Sequence, residues 1–377
     1  MESSNGHSDN LEYLNRHGSL RDKLVATHAV IRKHLPFVAR IAVALYDPSS
    51  TRLSAYLHSG DDDPLPHYQT EIANAPSLKR ILEQGRPRVI NKMLTFEANA
   101  PEHAARLGRA GYAASYTLPV FSGGVPLGFL FFNSRETDVF TETALAQLDV
   151  FGHLISLMII SELQLSRTLT AAVETTAHFT HLRDAETGSH LDRMSRFARL
   201  VARALASRYA LDDAYIEHVF TFAPLHDIGK IGIPDRVLLK PGRLDSEELE
   251  VMRTHSRKGR EVIDEMLKNF GLESLEYGDV LRNIAEHHHE AVDGSGYPGS
   301  LRGEAIPLEA RIVAVADVFD ALTSRRPYKE AWTNDQAFEF LGAMAGEKFD
   351  AECVRALVDN RLEVERIQQK FREDPNG

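Results

Sequence analysis

The chain has 377 residues, enough for two domains with a core each, and its 43% hydrophobic and 26% charged residues are typical of a soluble globular protein. Its single cysteine, Cys353, excludes an intrachain disulfide and indicates a reducing compartment. The formal net charge of −11 argues against a nucleic-acid polymer as partner, because proteins that bind one present a broad basic surface.

The N-terminus and the hydropathy pattern predict a cytoplasmic protein without a membrane partner. The opening stretch, MESSNGHSDN, is polar and contains no hydrophobic signal core. The most apolar stretch, residues 154–160, is much shorter than the roughly 20 residues that a membrane-spanning helix needs.

The N-terminal half is predicted to mix helices with β-hairpins. A polar, flexible leader covers residues 1–18, and turn sequences then separate successive strands, first Asp47-Pro48-Ser49-Ser50 and later Gly123-Gly124. The predicted order is a helix at 20–34, strands at 39–46 and 52–58, a helix at 77–83, strands at 87–90, 115–120 and 126–132, and a long helix at 141–169. This order predicts an α+β sandwich.

This segment resembles a GAF sensory domain over residues 20–160, through its order of elements and the stretch YTLPVFSGGVPLGFLFFN before the long helix. We set the bounds of this GAF-like sensory or dimerisation domain at 19–145. The resemblance implies either a small ligand, such as a cyclic nucleotide or haem, or a domain that only dimerises. Asn91, Lys92 and Phe96 match part of the pattern of cyclic-nucleotide-binding members, but the Asp-Glu pair is missing, so no ligand is assigned.

The helix that follows carries apolar residues at near-heptad spacing, interrupted by Glu162. This spacing predicts a linking helix over 146–170 that forms a two-stranded parallel coiled coil, and hence a homodimer. The alternative is a single amphipathic helix packed on its own domain. The residues in the predicted seam are Leu148, Phe151, Ile155, Met158, Leu165, Leu169 and Ala172.

Residues 171–377 show helical periodicity broken at glycine and proline, which predicts an all-α domain. Polar side chains of the kinds that bind metals are grouped along it. In chain order the groups are RDAETGSH at 183–190, HDIGK at 226–230, His255, HHHE and DGSGYP within 287–298, and ADVFDALTSRRPYK at 316–329.

The pair His226-Asp227 is the centre of this arrangement. Imidazole and carboxylate are both metal ligands, and Asp227 can bridge two cations through its two oxygens, with Lys230 holding an anion against them. On its own, such a pair is more often a surface or helix-end hydrogen bond, so the surrounding residues decide. Glu186 and His190 are four residues apart and share a helix face. At most two of three consecutive histidines can face one point, because neighbours on a helix diverge by about 100°.

The ordered set resembles the HD superfamily of metal phosphohydrolases, and the motifs RDAETGSH, HDIGKIGIPD, HHEAVDGSGYPG and ADVFDALTSRRPYKEA resemble its HD-GYP family over residues 168–360. Members of that family are bacterial phosphodiesterases that hydrolyse cyclic di-GMP. The resemblance implies a binuclear metal centre, and Glu186 matches the position that completes a third metal site in some members. The other implied metal ligands are His190, His226, Asp227, His255, His288, His289 and Asp317.

The same resemblance implies the residues that act on the substrate. Asp227 and Lys230 are assigned to catalysis. His287, which precedes the matching histidine pair, and Asp320, one turn beyond Asp317, are interpreted as supporting residues. The implied substrate-binding residues are Asp184, Lys230, Tyr297, Arg326 and Lys329.

The sequence therefore predicts a GAF-like α+β sandwich, a linking helix and an all-α HD-type domain over 171–377. The predicted function is hydrolysis of cyclic di-GMP to linear pGpG, GMP or both, by a metal-activated hydroxide and under control of the GAF-like domain. Two or three divalent metal ions are expected. Imidazoles and carboxylates without thiolate suit iron, manganese or nickel better than a structural zinc site. Iron is the expected metal, with manganese as the alternative. The alternatives are a non-catalytic cyclic di-GMP receptor and a phosphohydrolase for another cyclic dinucleotide.

Overall fold

A single antiparallel sheet organises the N-terminal part of the protein, and helices build the C-terminal part. The computed structural model describes residues 9–16, 18–92, 101–181, 188–273, 275–324 and 330–372. The chain divides into two units, Met1–Leu165 and Ser166–Gly377. The predicted fold class, an α+β domain followed by an all-helical one, is confirmed.

The N-terminal unit contains a six-stranded sheet in the order β3-β2-β1-β6-β5-β4, with every neighbouring pair antiparallel. The neighbouring strands β5 and β6 have the largest share of buried residues, and β1 packs beside β6. The strands are β1 (Val38–Asp47), β2 (Arg52–Gly60), β3 (Gln69–Glu71), β4 (Arg88–Ile90), β5 (Ala114–Ser122) and β6 (Val125–Ser134).

The helices of this unit are α1 (Leu20–His34), α2 (Pro76–Gln84), α3 (Glu102–Arg109) and α4 (Glu142–His181), which continues into the second unit. Ser19 caps α1 by accepting a hydrogen bond from the Asp22 backbone amide at 3.0 Å. The short β3 and the helix α3 were not predicted, because neither has a long enough apolar pattern to identify it.

The stripe predicted to form the dimer seam on α4 instead packs within its own unit. Leu148 and Ile155 are fully buried. Between them, a Cβ on Gly152 would lie 3.2 Å from the side chain of Leu118 on β5, so helix and sheet are in close contact there. Leu165, Leu169 and Ala172 lie outside the described side chains. The alternative interpretation, an amphipathic helix packed on its own domain, agrees with the burial of Leu148 and Ile155.

Residues 142–164 of α4 pass a length and hydropathy test for a membrane-spanning helix, with a mean hydropathy of 1.6. The expectation that the most apolar stretch covers only residues 154–160 is therefore too short, because Leu145, Leu148, Val150 and Phe151 extend the apolar pattern towards the start of the helix. About a third of the most apolar window, 33%, is buried inside the protein. Among the described residues, no other helix passes this test.

The C-terminal unit is a helical domain with one large apolar core. Phe197, Phe222 and Phe319 are fully buried in it. The helices are α5 (Gly188–Tyr209), α6 (Asp213–Phe222), α7 (Asp235–Leu238), α8 (Ser246–Arg253), α9 (His255–Asn269), α10 (Gly278–His287), α11 (Leu308–Thr323), α12 (Asn334–Met344), α13 (Ala351–Asp359) and α14 (Arg361–Lys370).

Asp245 caps the start of α8 with a reciprocal pair of hydrogen bonds. Asp245 accepts a hydrogen bond from the Glu248 backbone amide at 2.9 Å, and the Glu248 carboxylate accepts one from the Asp245 amide at 2.9 Å. This reciprocal pair satisfies two backbone donors that a helix leaves open at its start. The helix ends at Arg253, and His255 begins the next helix, α9.

Candidate metal centre

The candidate ligands come from separate parts of the C-terminal unit. His190 lies in the first turn of α5, His255 is the first residue of α9, and Asp317 lies on α11. His226 and Asp227 lie between two 3-10 turns, Ala223–Leu225 and Ile228–Gly232. His288 and His289 directly follow α10. Tertiary packing therefore brings these residues together.

A glycine allows the His226-Asp227 turn to approach α9. A Cβ on Gly229 would lie 1.9 Å from the carbonyl oxygen of His255 and 2.4 Å from the backbone nitrogen of Gly259. No side chain fits at that distance, so glycine is required for the turn to meet the start of α9. This contact fixes His255 relative to Asp227.

The side chains form two groups in which the possible ligand atoms lie within 4.8 Å of one another. The first group is His190, His226 and Asp317. The second group is Asp227, His255, His288 and His289. The resemblance implies Glu186 and seven other metal ligands, and these seven all fall into one group or the other. We call the two together the metal-ligand cluster.

Three of the histidines are oriented by the backbone. Nδ1 of His226 lies 3.0 Å from the carbonyl of Ala223, Nδ1 of His255 lies 2.8 Å from that of Met252, and Nδ1 of His288 lies 2.9 Å from that of Ile284. A carbonyl oxygen can only accept, so Nδ1 donates in each case. In the neutral imidazole this leaves the lone pair on Nε2, which is the arrangement of a metal-binding histidine.

His190 is oriented by a carboxylate instead. Its Nδ1 donates to Asp320 Oδ2 at 2.8 Å, and Arg193 donates to both oxygens of Asp320 at 2.7 and 2.9 Å. Asp320 is completely buried. Burial opposes its ionisation, but the hydrogen bonds from His190 and Arg193 outweigh that effect and lower its pKa. Asp320 therefore does more than support its helix, because it fixes the orientation of His190.

Asp227 links the two groups. Its Oδ2 lies 3.3 Å from Nε2 of His226 and 2.8 Å from Nζ of Lys230, whereas its Oδ1 lies 3.2 Å from Nε2 of His255 and 3.6 Å from Nε2 of His288. Burial raises its pKa, but the Lys230 ammonium and the neighbouring imidazoles outweigh burial and hold that pKa well below the ordinary value. The carboxylate is therefore ionised, with one oxygen directed to each group.

The residues fit a divalent metal. Asp227 Oδ1 and His190 Nε2 are buried and have no hydrogen-bond partner. Buried polar atoms are normally satisfied, so two orphaned lone-pair atoms in one cluster suit a cation. Burial also lowers the pKa of His288 and of His289, which favours the neutral ring that coordinates metal. Imidazole nitrogens and carboxylate oxygens are ligands for divalent iron, manganese, nickel or zinc.

The loop containing Tyr297 closes over one side of the cluster. The Tyr297 ring centroid lies 4.8 Å from that of His289 and 6.2 Å from that of His255. The buried Glu290 carboxylate holds the loop by accepting hydrogen bonds from the Gly299 and Leu301 amides at 2.6 and 3.0 Å. The loop thus places an aromatic ring beside the ligand histidines.

Two family models match the chain. Residues 183–353 match the model of the HD domain, and residues 24–159 match that of the GAF domain. The chain carries a GAF domain followed by an HD domain. An HD domain implies divalent metal binding, and its matched region contains the whole metal-ligand cluster.

Curated relatives include phosphodiesterases of cyclic dinucleotides. The chain is 51% identical over 189 residues to the cyclic di-GMP phosphodiesterase response regulator RpfG of Xanthomonas campestris, covering 50% of this chain and 47% of the relative. It is 41% identical over 212 residues to a cyclic di-GMP phosphodiesterase of Vibrio cholerae, covering 55% and 41%. It is 38% identical over 196 residues to the 3'3'-cGAMP-specific phosphodiesterase 2 of Vibrio cholerae, covering 52% and 35%. The matches thus span less than half of each relative.

Several residues expected in the HD-domain site lie outside the described part of the chain. They are Asp184, Glu186, Arg326 and Lys329. His287 is described and belongs to neither ligand group. Its ring nitrogens lie 3.6 Å from Glu286 and 3.8 Å from Glu290. Sequence reasoning missed the role of Asp320, for which the only signal was its position one turn beyond Asp317.

Proposed function

We propose that this protein is a metal-dependent phosphodiesterase that hydrolyses cyclic di-GMP to linear pGpG, GMP or both. The observation that carries the proposal is the position of Asp227. Its two oxygens face different groups of ligands, and Lys230 places a cation at 2.8 Å from one of them. A carboxylate shared by two ligand groups beside a cation suits the hydrolysis of a phosphodiester.

The named activities of the relatives support the substrate class. Two of the relatives described above are named as cyclic di-GMP phosphodiesterases. A third is named as specific for 3'3'-cGAMP, which makes another cyclic dinucleotide the second candidate substrate. Tyr297, beside the cluster, offers an aromatic surface to a base of either compound.

The residues would divide the work as follows. Metal ions held by the two ligand groups would activate a water molecule as nucleophile and act as Lewis acids on the phosphoryl oxygens. Asp227 would hold the two groups in register and keep its negative charge. Lys230 would offset the charge that develops on the phosphoryl oxygens as the scissile bond breaks. The hydrogen bonds of His190 and His255 through Nδ1 would keep those rings oriented throughout.

We further propose iron as the native metal, with manganese as the alternative, in a centre of two or three ions. The imidazole-carboxylate ligand set without thiolate is compatible with both metals. The described ligands form two groups, which accounts for two ions. A third ion would need Glu186, which matches the position that completes a third metal site in some members of the HD-GYP family.

The experiment is an anaerobic purification in which metals per chain are counted by elemental analysis and both cyclic dinucleotides are followed by chromatography. We expect two or three iron or manganese ions per chain and conversion of cyclic di-GMP faster than that of 3'3'-cGAMP. The reverse order would establish the second candidate. Bound metal with tightly held but intact cyclic di-GMP would overturn the enzyme and indicate a receptor.

Two variants separate metal binding from catalysis in the same assay. Asp227→Ala should lose both the metals and the hydrolysis, because the shared ligand is gone. Lys230→Ala should keep the metals but lower kcat/KM by about a hundredfold, the usual loss for one charge-stabilising group. Lys79→Ala, an exposed lysine paired with Glu83 in the GAF domain, is the matched control and should behave as wild type. Full activity of Asp227→Ala would rule out this centre.

We also propose that the chain is a cytoplasmic homodimer whose GAF domain and linking helix regulate the HD domain. The exposed face of α4 supports a dimer with a second copy. Val150 and Leu157 are 69% and 64% exposed and lie seven residues apart, which is the heptad spacing of a coiled-coil seam. This seam replaces the one expected through Leu148 and Ile155. The domain bounds of 19–145, 146–170 and 171–377 remain part of this proposal.

A further inference from the structure

A cyclic dinucleotide extends well beyond the phosphodiester bond that is hydrolysed. It carries two phosphodiesters and two bases, so one phosphate remains when the other lies at the metal-ligand cluster. That remaining phosphate carries a full negative charge and would be costly to hold without a cation. The present inference rests on the proposed function and concerns the residue that meets this second phosphate.

Arg253 lies at the edge of the cluster on the side of Tyr297. Its guanidinium carbon is 5.4 Å from the Tyr297 ring centroid, within the range of a cation–π contact. Tyr297 in turn lies 4.8 Å from the ring of His289, one of the ligands grouped with Asp227. A continuous path of neighbouring groups therefore leads from the ligands, through an aromatic ring, to a guanidinium.

The guanidinium is held in place but is available to a ligand. Its Nη1 donates to Glu250 at 2.7 Å, and the two side chains are 43% and 71% exposed. An exposed ion pair of this kind contributes little and is readily exchanged for a better acceptor. Arg253 is also the last residue of α8, two positions before the ligand His255. Helix and aromatic ring together therefore fix where the charge lies.

We propose that Arg253 binds the phosphate of the substrate that is not hydrolysed. A guanidinium presents several N–H donors in one plane and can hold a phosphate through two of them at once. The adjacent Tyr297 ring offers a face for a base. Arg253 and Tyr297 therefore form a second half of the substrate site, which distinguishes a dinucleotide from a small phosphodiester that has only one phosphate.

The test compares two substrates on the full chain with its metals. Cyclic di-GMP carries both phosphates, whereas bis(p-nitrophenyl) phosphate carries one and needs only the metal-ligand cluster. Arg253→Ala should raise KM for cyclic di-GMP by about tenfold or more, the loss of one hydrogen bond to a charged group. The ratio of the two kcat/KM values should fall by the same factor. Arg253→Lys, which keeps the charge but loses the planar donors, should lie between Arg253→Ala and wild type.

Arg366→Ala is the matched control. Arg366 pairs with Glu363 three residues earlier on α14, as Arg253 pairs with Glu250, and its side chain is 68% exposed. Arg366→Ala removes the same charge and should leave the KM and kcat/KM values for both substrates as in wild type. The KM of wild type for cyclic di-GMP should also rise with salt more steeply than that of Arg253→Ala, because salt screens the lost contact.

Two kinetic results would overturn the inference. One is an unchanged KM for cyclic di-GMP in Arg253→Ala. The other is an equal loss on both substrates, which would mean that Arg253 only supports Tyr297 and His255. If wild type hydrolyses neither cyclic dinucleotide, the proposed function fails. The affinity for cyclic di-GMP, measured by calorimetry, then tests whether Arg253 binds its phosphate. A tenfold weaker Kd in Arg253→Ala then supports it, whereas an equal Kd, or no binding by wild type, overturns it.

Discussion

Four of the ligand histidines have a hydrogen-bond partner at Nδ1, and each partner is fixed by the surrounding fold. Three of them use a carbonyl of the preceding helical turn, and His190 uses the buried carboxylate of Asp320. These contacts hold the rings in a metal-binding orientation before any metal arrives. That preorganisation has a structural cost at Asp320, whose charge is completely buried and depends on Arg193.

At the residue scale, Asp320→Asn should destabilise the metal-free protein by about 3 kcal/mol, because it leaves the buried Arg193 charge without its partner. Chemical denaturation of the metal-free protein measures this change. The pKa of Asp320 is lowered in the fold, so its contribution is complete above the ordinary carboxyl pKa and is lost as the pH falls through the lower folded value. The difference between the variant and wild type should therefore shrink in acid, below about pH 4.

Asp335→Asn is the control for this prediction. Asp335 also pairs with an arginine, Arg361, but the two side chains are 81% and 45% exposed. Its removal should cost at most about 1 kcal/mol, as for other exposed ion pairs. Equal losses for Asp320→Asn and Asp335→Asn would contradict a special role for the buried pair.

At the scale of elements, one close contact connects the His226-Asp227 turn to the helix that begins with His255. The turn approaches α9 so closely that only glycine fits at position 229. The ligand Asp227 lies two residues before Gly229, and the ligand His255 itself supplies the carbonyl in this contact. The two elements can therefore separate only if the second ligand group is broken.

Gly229→Ala and Gly342→Ala should have opposite effects. At Gly229 the added Cβ would lie 1.9 Å from the His255 carbonyl, so the turn must shift and metal binding should weaken as stability falls. At Gly342, on α12, a Cβ meets nothing within 4 Å, and the backbone is that of an ordinary helix. Alanine there should raise the free energy of unfolding by about 0.5–1 kcal/mol.

Thermal unfolding and metal titration of the two variants test this prediction together. The same substitution at a crowded turn glycine and at an open helix glycine separates a steric effect from the general effect of alanine on the unfolded chain. Normal metal affinity in Gly229→Ala would show that the turn can move without disturbing Asp227, and would contradict the contact as the determinant of the site.

At the scale of the whole molecule, the exposed apolar face of α4 needs an explanation. Val150 and Leu157 are among the most exposed large hydrophobic residues that the structure describes. Large exposed apolar groups in one line mark an interaction surface. We have assigned this face to a second copy of the chain, because its seven-residue spacing is that of a coiled coil.

Leu157→Glu should therefore convert a dimer into a monomer, since a charge in the seam of two parallel helices faces its own copy. Light scattering after size-exclusion chromatography measures the change, and the exposure of Leu157 means that the fold itself should be unaffected. Leu249→Glu is the control, because Leu249 is 41% exposed on α8 and lies outside the proposed seam. A wild-type monomer, or a Leu157→Glu dimer, would reject the seam.

The fold class and the set of candidate ligands could be predicted from the sequence alone. Turn residues and the periodicity of strands and helices indicated the fold class, and the resemblance of the ordered motifs to the HD-GYP family implied the ligands. Those motifs identified His190, His226, Asp227, His255, His288, His289 and Asp317, which the fold gathers into two groups.

How these groups are held, and which faces of the helices stay exposed, could be read only from the folded protein. The support of His190 by Asp320 depends on two helices that are far apart in sequence, and the contact of Arg253 with Tyr297 depends on a loop anchored by Glu290. The same is true of α4, where periodicity predicted an apolar stripe at Leu148 but not which partner would cover it. Periodicity reports that a residue is apolar, whereas burial depends on the surface that the rest of the chain presents to it.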